Sequence, residues 1–226
     1  MRRANEQIIM RLLGSQYKLP LNGDVKKTKK VILIISTILF AQKGYAAVSV
    51  KDIADEIGFK AASLYAHFKS KEKLWVEVIE HAKRMYLLYL DLLDKALKKV
   101  SSFEELLDTL FAEPIKMRNE FTCFAFSLIL CSQVEDERCA YINQEIFLKS
   151  TIDFFNKWFK ISINNGFVKP FDYETTSIAM TYYSFYGVQL TTQKLMGREV
   201  PYDHSDVMTK YKRSILDNLR SLGLLT

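Results

Sequence analysis

Side chains that donate hydrogen bonds or carry positive charge crowd into one short stretch, residues 49 to 71. Tyr65 and His67 present a hydroxyl and an imidazole at phosphate distance without long flexible stems. Ser49 adds a hydroxyl, and backbone amides at the helix starts marked by Ser49 and Ser70 are natural phosphate donors. Lys51, Lys69 and Lys71 add charge. The set holds donors and cations but no nucleophile paired with a base, so its chemistry is recognition of an anion rather than bond making.

The elements that position these groups are short and sharply punctuated. Lys26 to Lys43 carries Val31, Ile34, Ile35 and Ile38 at helical spacing, and Gly44 suits the left-handed position that ends a helix. Ser49-Val50-Lys51-Asp52 has the form of a capping box. Val50, Ile53, Ala54 and Ile57 then give a short helix with one apolar face, broken at Gly58. Ala61 to Phe68 reads as a second short helix, and Ser70 caps a long third one beginning at Lys71. Two short helices across a glycine turn, flanked by longer helices, is helix-turn-helix organisation, whose second helix enters the DNA major groove. Ala54, Ala61 and Ala62 are small enough to let the two short helices approach closely.

The charge distribution agrees. The first 75 residues hold 14 Lys and Arg against 6 Asp and Glu, while the remaining 151 hold 18 against 20. The overall charge of +6 therefore lies in the first third, as expected of a polyanion-binding segment joined to a neutral body.

Other function classes find little support. The histidines are His67, His81 and His204, without a Ser-His-Asp or Cys-His arrangement, a phosphate-cradling glycine loop or metal-ligand spacing, so neither an enzyme nor a cofactor is expected. Cys123, Cys131 and Cys139 lie eight apart, do not converge as metal ligands and read as reduced thiols, which fits a cytoplasmic protein. No stretch reaches the roughly 20 apolar residues needed to span a bilayer, and the first ten residues lack the pattern of a secretory signal. With 8 Gly and 4 Pro in 226 residues, turn residues are too few for a many-stranded protein, and the fold class expected is all-α, with about nine main helices.

The span Lys43 to Leu74 resembles the N-terminal domain of TetR-family transcriptional regulators. The resemblance rests on Gly44-Tyr45, on Ser49 to Ala54, on Ile57-Gly58 and above all on the string from Leu64 to Leu74, LYAHFKSKEKL. It implies that Lys60, Ala61, Ser63 and Tyr65 sit on or beside the groove-facing surface, with Leu64 and Phe68 turned inward. Family members often have a polar or basic residue and then Gly where this chain has Ala61-Ala62. Base contacts are then limited to Lys60, Ser63 and the Ala61 methyl, which can pack on a thymine methyl.

In the remaining two thirds, Leu74, Val78, Ala82, Met85, Tyr89, Leu92 and Leu93 mark a long helix, and the helix after it is interrupted at Pro114. Further helices are expected over Glu137 to Asn164, Asp172 to Met196 and Asp203 to Leu222. Aromatic residues are dense here. Phe121, Phe124, Phe155, Trp158, Phe159, Tyr182 and Tyr183 are candidates to line a cavity for a flat or lipophilic small-molecule effector. The helix from Asp172 is apolar on two faces and must bury both. In a family-like arrangement Tyr186 and Leu190, with Tyr211, Ile215 and Leu219 of the last helix, form a four-helix homodimer interface.

The expected organisation is a basic arm (1–25), a helix-turn-helix domain (26–74) and a ligand-binding and dimerisation domain (75–226). Expected partners are a double-stranded DNA operator, a small-molecule effector and a second copy of the chain, with no membrane. The resemblance implies a regulator, usually a repressor, released from a palindromic operator by its effector. The alternative is a helical small-molecule-binding protein whose DNA-binding domain is vestigial or works without a ligand.

Overall fold

The computed structural model describes residues 25–116, 137–202 and 204–225. Within them the secondary structure is helical, apart from one antiparallel bridge between Val168 and Leu225. The helices are α1 (Val25–Lys43), α2 (Val50–Ile57), α3 (Ala61–Tyr65), α4 (Lys71–Leu97), α5 (Phe103–Lys116), α6 (Glu137–Tyr141), α7 (Ser150–Asn164), α8 (Tyr173–Leu195) and α9 (His204–Ser221). A π-helical run, Ile142–Lys149, joins α6 to α7 without a break.

Helix ends follow residue chemistry. Gly44, Gly58 and Gly166 take φ of 81°, 80° and 72° after α1, α2 and α7, a conformation in which other residues are strained. The Ser102 hydroxyl accepts from the Glu105 amide while the Glu105 carboxylate accepts from the Ser101 amide, capping α5. Asp172 accepts from the Thr175 amide at the start of α8.

The described residues form two units. One holds residues 25–85, 137–143 and 192–198. Its core is built on α1, where Val31, Ile32 and every residue from Ile34 to Phe40 are buried, with Ile53, Ala54, Ile57, Leu64, Phe68 and Leu74. Trp75 is 1% exposed and stands edge-on to Phe40, ring centroids 5.2 Å apart, and 4.9 Å from Tyr45. The other unit holds residues 86–116, 144–191 and 199–225, the last without 203. Phe159 sits at its centre, fully buried between Phe103 and Phe171 at 5.9 and 5.7 Å. Tyr86 is buried there too, its ring edge-on to Phe147 at 4.5 Å and its hydroxyl bonded to Thr151. Burial pushes its ionisation well above the ordinary tyrosine range, against the opposing effect of the Thr151 hydrogen bond.

Four sequence expectations change. The second short helix ends at Tyr65, not Phe68, with Ala66 and His67 in a turn that still leaves Phe68 buried. Helix α5 continues through Pro114 to Lys116, although the missing N–H removes one bond to the preceding turn. On α4, Leu92 is exposed and Tyr86 takes the buried position, because the buried stripe runs through Val78, Ala82, Tyr86, Leu93 and Leu97. Ala62 is exposed, so Ala54 is the alanine buried where α2 meets α3.

Candidate nucleic-acid interface

Helix α2 is fixed at both ends. The Ser49 amide and hydroxyl donate to Asp52 Oδ2 at 2.7 and 2.6 Å, and the Asp52 amide returns a bond to Ser49 Oγ at 3.1 Å. Side-chain and backbone bonds from Ser49, with the attraction of Lys43 and Lys51, outweigh desolvation and hold the Asp52 carboxyl below its ordinary range. At the other end Gly58 turns the chain, and the Phe59 amide closes onto Ala54 O at 2.8 Å. Lys60, extended at φ −77° and ψ 142°, then starts α3.

This turn sets the two faces of α3. Leu64 and Phe68 are buried beneath it, and Ala61, one turn before Leu64, is half-buried on the same side. Lys60, Ala62, Ser63, Tyr65, Ala66 and Lys69 are exposed on the other, with Tyr65 53% accessible. His67 is half-buried, its amide donating to Leu64 O at 2.9 Å. Sequence reasoning chose Ala61 and passed over Ala62 and Ala66. The three-residue spacing from Ala61 to Leu64 was the available signal, since it puts both on one side of a helix.

The flanking groups are more engaged than their types imply. The Ser49 hydroxyl already gives its proton to Asp52, so it is not a free donor to phosphate, a correction to the expected role. The amides of Val50 and Lys51, and the exposed Lys51 ammonium, remain at that helix start. Ser70 Oγ accepts from the Lys73 amide at 3.1 Å, capping α4 as expected. Lys71 lies over the Tyr45 ring, 4.1 Å from its centroid, while the Tyr45 hydroxyl donates to Glu72 Oε2 at 3.0 Å. Desolvation lowers the Lys71 pKa and the Asp52 carboxylate opposes that shift. Glu72 also pairs with Arg138 at 2.8 Å, and Lys29, over the Phe68 ring, pairs with Glu77 at 2.7 Å.

The second unit distributes its predicted residues differently. Phe121 and Phe124 lie outside the described residues, as do Cys123 and Cys131, whereas Cys139 is a buried thiol. Phe155, Trp158 and Phe159 are buried in the core cluster, but Tyr182 and Tyr183 are 60% and 41% exposed, so these five do not line one space. Trp158 alone among them borders a cleft of about 270 Å³, together with Leu97, Val100, Leu106, Ile161 and Phe167. Of the predicted dimer residues, Tyr186 is exposed, while Leu190, Ile215 and Leu219 are buried in the free chain and Tyr211 is half-buried under a stacked Tyr183, 4.1 Å away. Ile215 and Leu219 belong to the chain's own core, whereas Ile178, Tyr182 and Tyr186, spaced four apart on α8, are exposed. No helix among the described residues is long and apolar enough to cross a membrane.

A short helix with a polar and basic outer face, set by a glycine turn against a capped helix, defines a helix-turn-helix DNA-binding domain. Residues 36–78 match the family described as bacterial regulatory proteins, tetR family. The HTH-type transcriptional repressor KstR2 of Mycolicibacterium smegmatis is 46% identical over 48 residues, 21% of this chain and 23% of that protein. The uncharacterized HTH-type transcriptional regulator YerO of Bacillus subtilis is 40% identical over 57 residues, 25% of this chain and 20% of that one. The chain thus spans about a fifth of the length of the curated relatives it matches. The likeness in fold extends further. The structure of ketosteroid transcriptional regulator KstR2 of Mycobacterium tuberculosis superposes with TM-score 0.57 at 19% identity, over 91% of this chain and 97% of that one. The TetR-like fold therefore covers most of the chain, whereas these two sequence matches cover 48 and 57 residues.

Proposed function

We propose that this protein is a cytoplasmic, homodimeric transcriptional regulator of the repressor type, in which residues 26–74 bind operator DNA and residues 75–226 carry dimerisation and effector response. The observation that carries this reading is the outer face of α3: Lys60, Ala62, Ser63 and Tyr65 stand together in solvent on a helix of the matched domain. In the groove, Lys60 and Ser63 reach base edges, and the Ala62 methyl takes the thymine contact assigned above to Ala61. Lys51, Lys69, Lys71, Tyr65 and His67 fix phosphates, with the first amides of α2 in place of the Ser49 hydroxyl. Residues 1–25 add a basic arm. Two-fold symmetry calls for a roughly palindromic operator with half-sites about 34–36 Å apart, and an apolar or aromatic effector that alters this spacing releases one half-site.

The test is selection of bound duplexes from a random pool, followed by fluorescence anisotropy on the selected site across a salt series. Lys51→Ala and Lys71→Ala should weaken all sequences alike, each reducing the log–log salt slope by about 0.9. Lys60→Ala and Ser63→Ala should change the selected sequence. A pool that yields no enriched site would overturn the regulatory reading in favour of a helical ligand-binding protein with a vestigial DNA-binding domain.

A further inference from the structure

Between Ile57 and Val76 the chain carries one acid, Glu72, among Lys60, Lys69, Lys71 and Lys73. Glu72 follows Lys71 in the first turn of α4. Tyr45 touches both residues. Its ring lies under the Lys71 ammonium, with the centroid at 4.1 Å, and its hydroxyl donates to Glu72 Oε2 at 3.0 Å. The Glu72 side chain is 52% exposed and free to rotate, so a short swing around that ring would set its carboxylate on the Lys71 ammonium.

The swing is opposed from another helix. Glu72 Oε1 pairs with Arg138 Nη1 at 2.8 Å. Arg138 is the second residue of α6, far along the chain but in the same unit. Tyr45 thus holds one carboxylate oxygen and Arg138 the other, and Arg138 also neutralises the charge. Among the described residues Lys71 is left in no ion pair. An exposed pair such as Glu72–Arg138 contributes little to folding, so its consequence lies in where the charges stand.

We infer that Arg138, a residue outside the helix-turn-helix segment, is a positioning residue for DNA binding: it holds the Glu72 carboxylate away from Lys71 and keeps that ammonium open to a phosphate. The inference rests on the assignment of Lys71 to phosphate in the proposed function. It means that the phosphate-binding surface of residues 26–74 is incomplete without a residue from beyond them.

Fluorescence anisotropy of the full chain on a short duplex of arbitrary sequence at low salt reads phosphate contact without requiring an operator. Arg138→Gln should weaken binding at least about threefold, toward the affinity of Lys71→Ala, and lower the log–log salt slope by up to about 0.9, as loss of one phosphate contact does. Its circular dichroism and melting curve should match the parent's. Adding Glu72→Gln should restore the affinity, because glutamine keeps the Tyr45 bond but cannot neutralise Lys71. In a Lys71→Ala background Arg138→Gln should cost nothing further. Arg138→Lys, which keeps the charge, should bind as the parent does. A loss that persists with Glu72→Gln would make Arg138 a phosphate ligand or a purely structural residue and overturn the inference, as would unchanged affinity in Arg138→Gln. Failure of the regulatory reading looks different: the parent then selects no operator, or binds no duplex at all, and the latter overturns this inference with it.

Discussion

Replacing Tyr186 with aspartate tests whether the exposed face of α8 pairs two chains, as the proposed homodimer would require. In the free chain Tyr182 and Tyr186 are 60% and 44% exposed on neighbouring turns of α8. With ~200 Å² of surface per tyrosine, the two leave about 200 Å² of ring uncovered in each chain. Covering that area on both chains of a symmetric pair at ~25 cal/mol per Å² contributes about 10 kcal/mol before the costs of association. Tyr186 supplies somewhat under half of it, and a buried aspartate without a partner adds a desolvation penalty of a few kcal/mol. The expected outcome is a dimer dissociation constant raised by at least about a thousandfold, seen by sedimentation velocity as monomer at micromolar concentration. Thermal unfolding of the monomer should be nearly unchanged, because Tyr186 is a surface residue there. Ile215→Asp gives the contrasting result. Ile215 is 9% exposed within the subunit's own core, so the charge should reduce helical content and melting temperature rather than yield a folded monomer. A Tyr186→Asp protein that sediments as the parent does would refute the assignment of this α8 face to the dimer.

Three further outcomes follow from the interior. Ser49→Ala removes the hydroxyl half of the α2 capping box, leaving the backbone amide on Asp52, and should cost about 1 kcal/mol in denaturant unfolding, with a matching loss of DNA affinity as the helix start frays. Phe159→Ala opens a void between Phe103 and Phe171 and should cost about 3–5 kcal/mol, measured as a lower urea midpoint at unchanged slope. Tyr86 stays protonated in the folded chain above its ordinary pKa of 10.0, whereas the unfolded chain releases that proton. Its contribution is therefore intact below pH ~10 and is lost above it at up to about 1.4 kcal/mol per pH unit. Tyr86→Phe should flatten that alkaline slope, and an unchanged slope would remove Tyr86 as its source.

Residue type alone made the helix ends legible. Ser49 with Asp52, Gly58, Ser70, Asp172 and Gly166 each have a local chemistry that permits few alternatives, and each stands where that chemistry puts it. The face of α3 was harder to read, because a five-residue helix gives barely one turn of periodicity. Ala61 and Ala62 are equal in propensity, and only the buried Leu64 distinguishes them. In the body, periodicity shows that a stripe is apolar but not what covers it. Ile215 and Leu219 on α9 and Tyr182 and Tyr186 on α8 give the same signal, yet the first pair meets its own subunit and the second meets solvent. For the same reason the aromatic count pointed to a cavity that Phe155 and Phe159 fill with their own rings. Asp94 pairs with Lys98 one helical turn on, a spacing the sequence displays, but also with Lys157 and Trp158 some sixty residues away, a distance over which no local pattern operates.

The two tryptophans fall one to each unit, Trp75 among the rings of Phe40 and Tyr45 and Trp158 with its indole N–H on Asp94. The chain thus carries a separate optical reporter for its DNA-binding half and for its body, without any added label. Trp75 is closed off from water beside two other rings, which favours blue emission and energy transfer from Tyr45. Trp158 emits beside a carboxylate and a lysine ammonium, where quenching follows local charge. A protein with either one replaced by phenylalanine reports one half at a time. Superimposable denaturation curves from the two would mean that both halves melt as a single cooperative body; separated curves would mean that one half can loosen while the other stands.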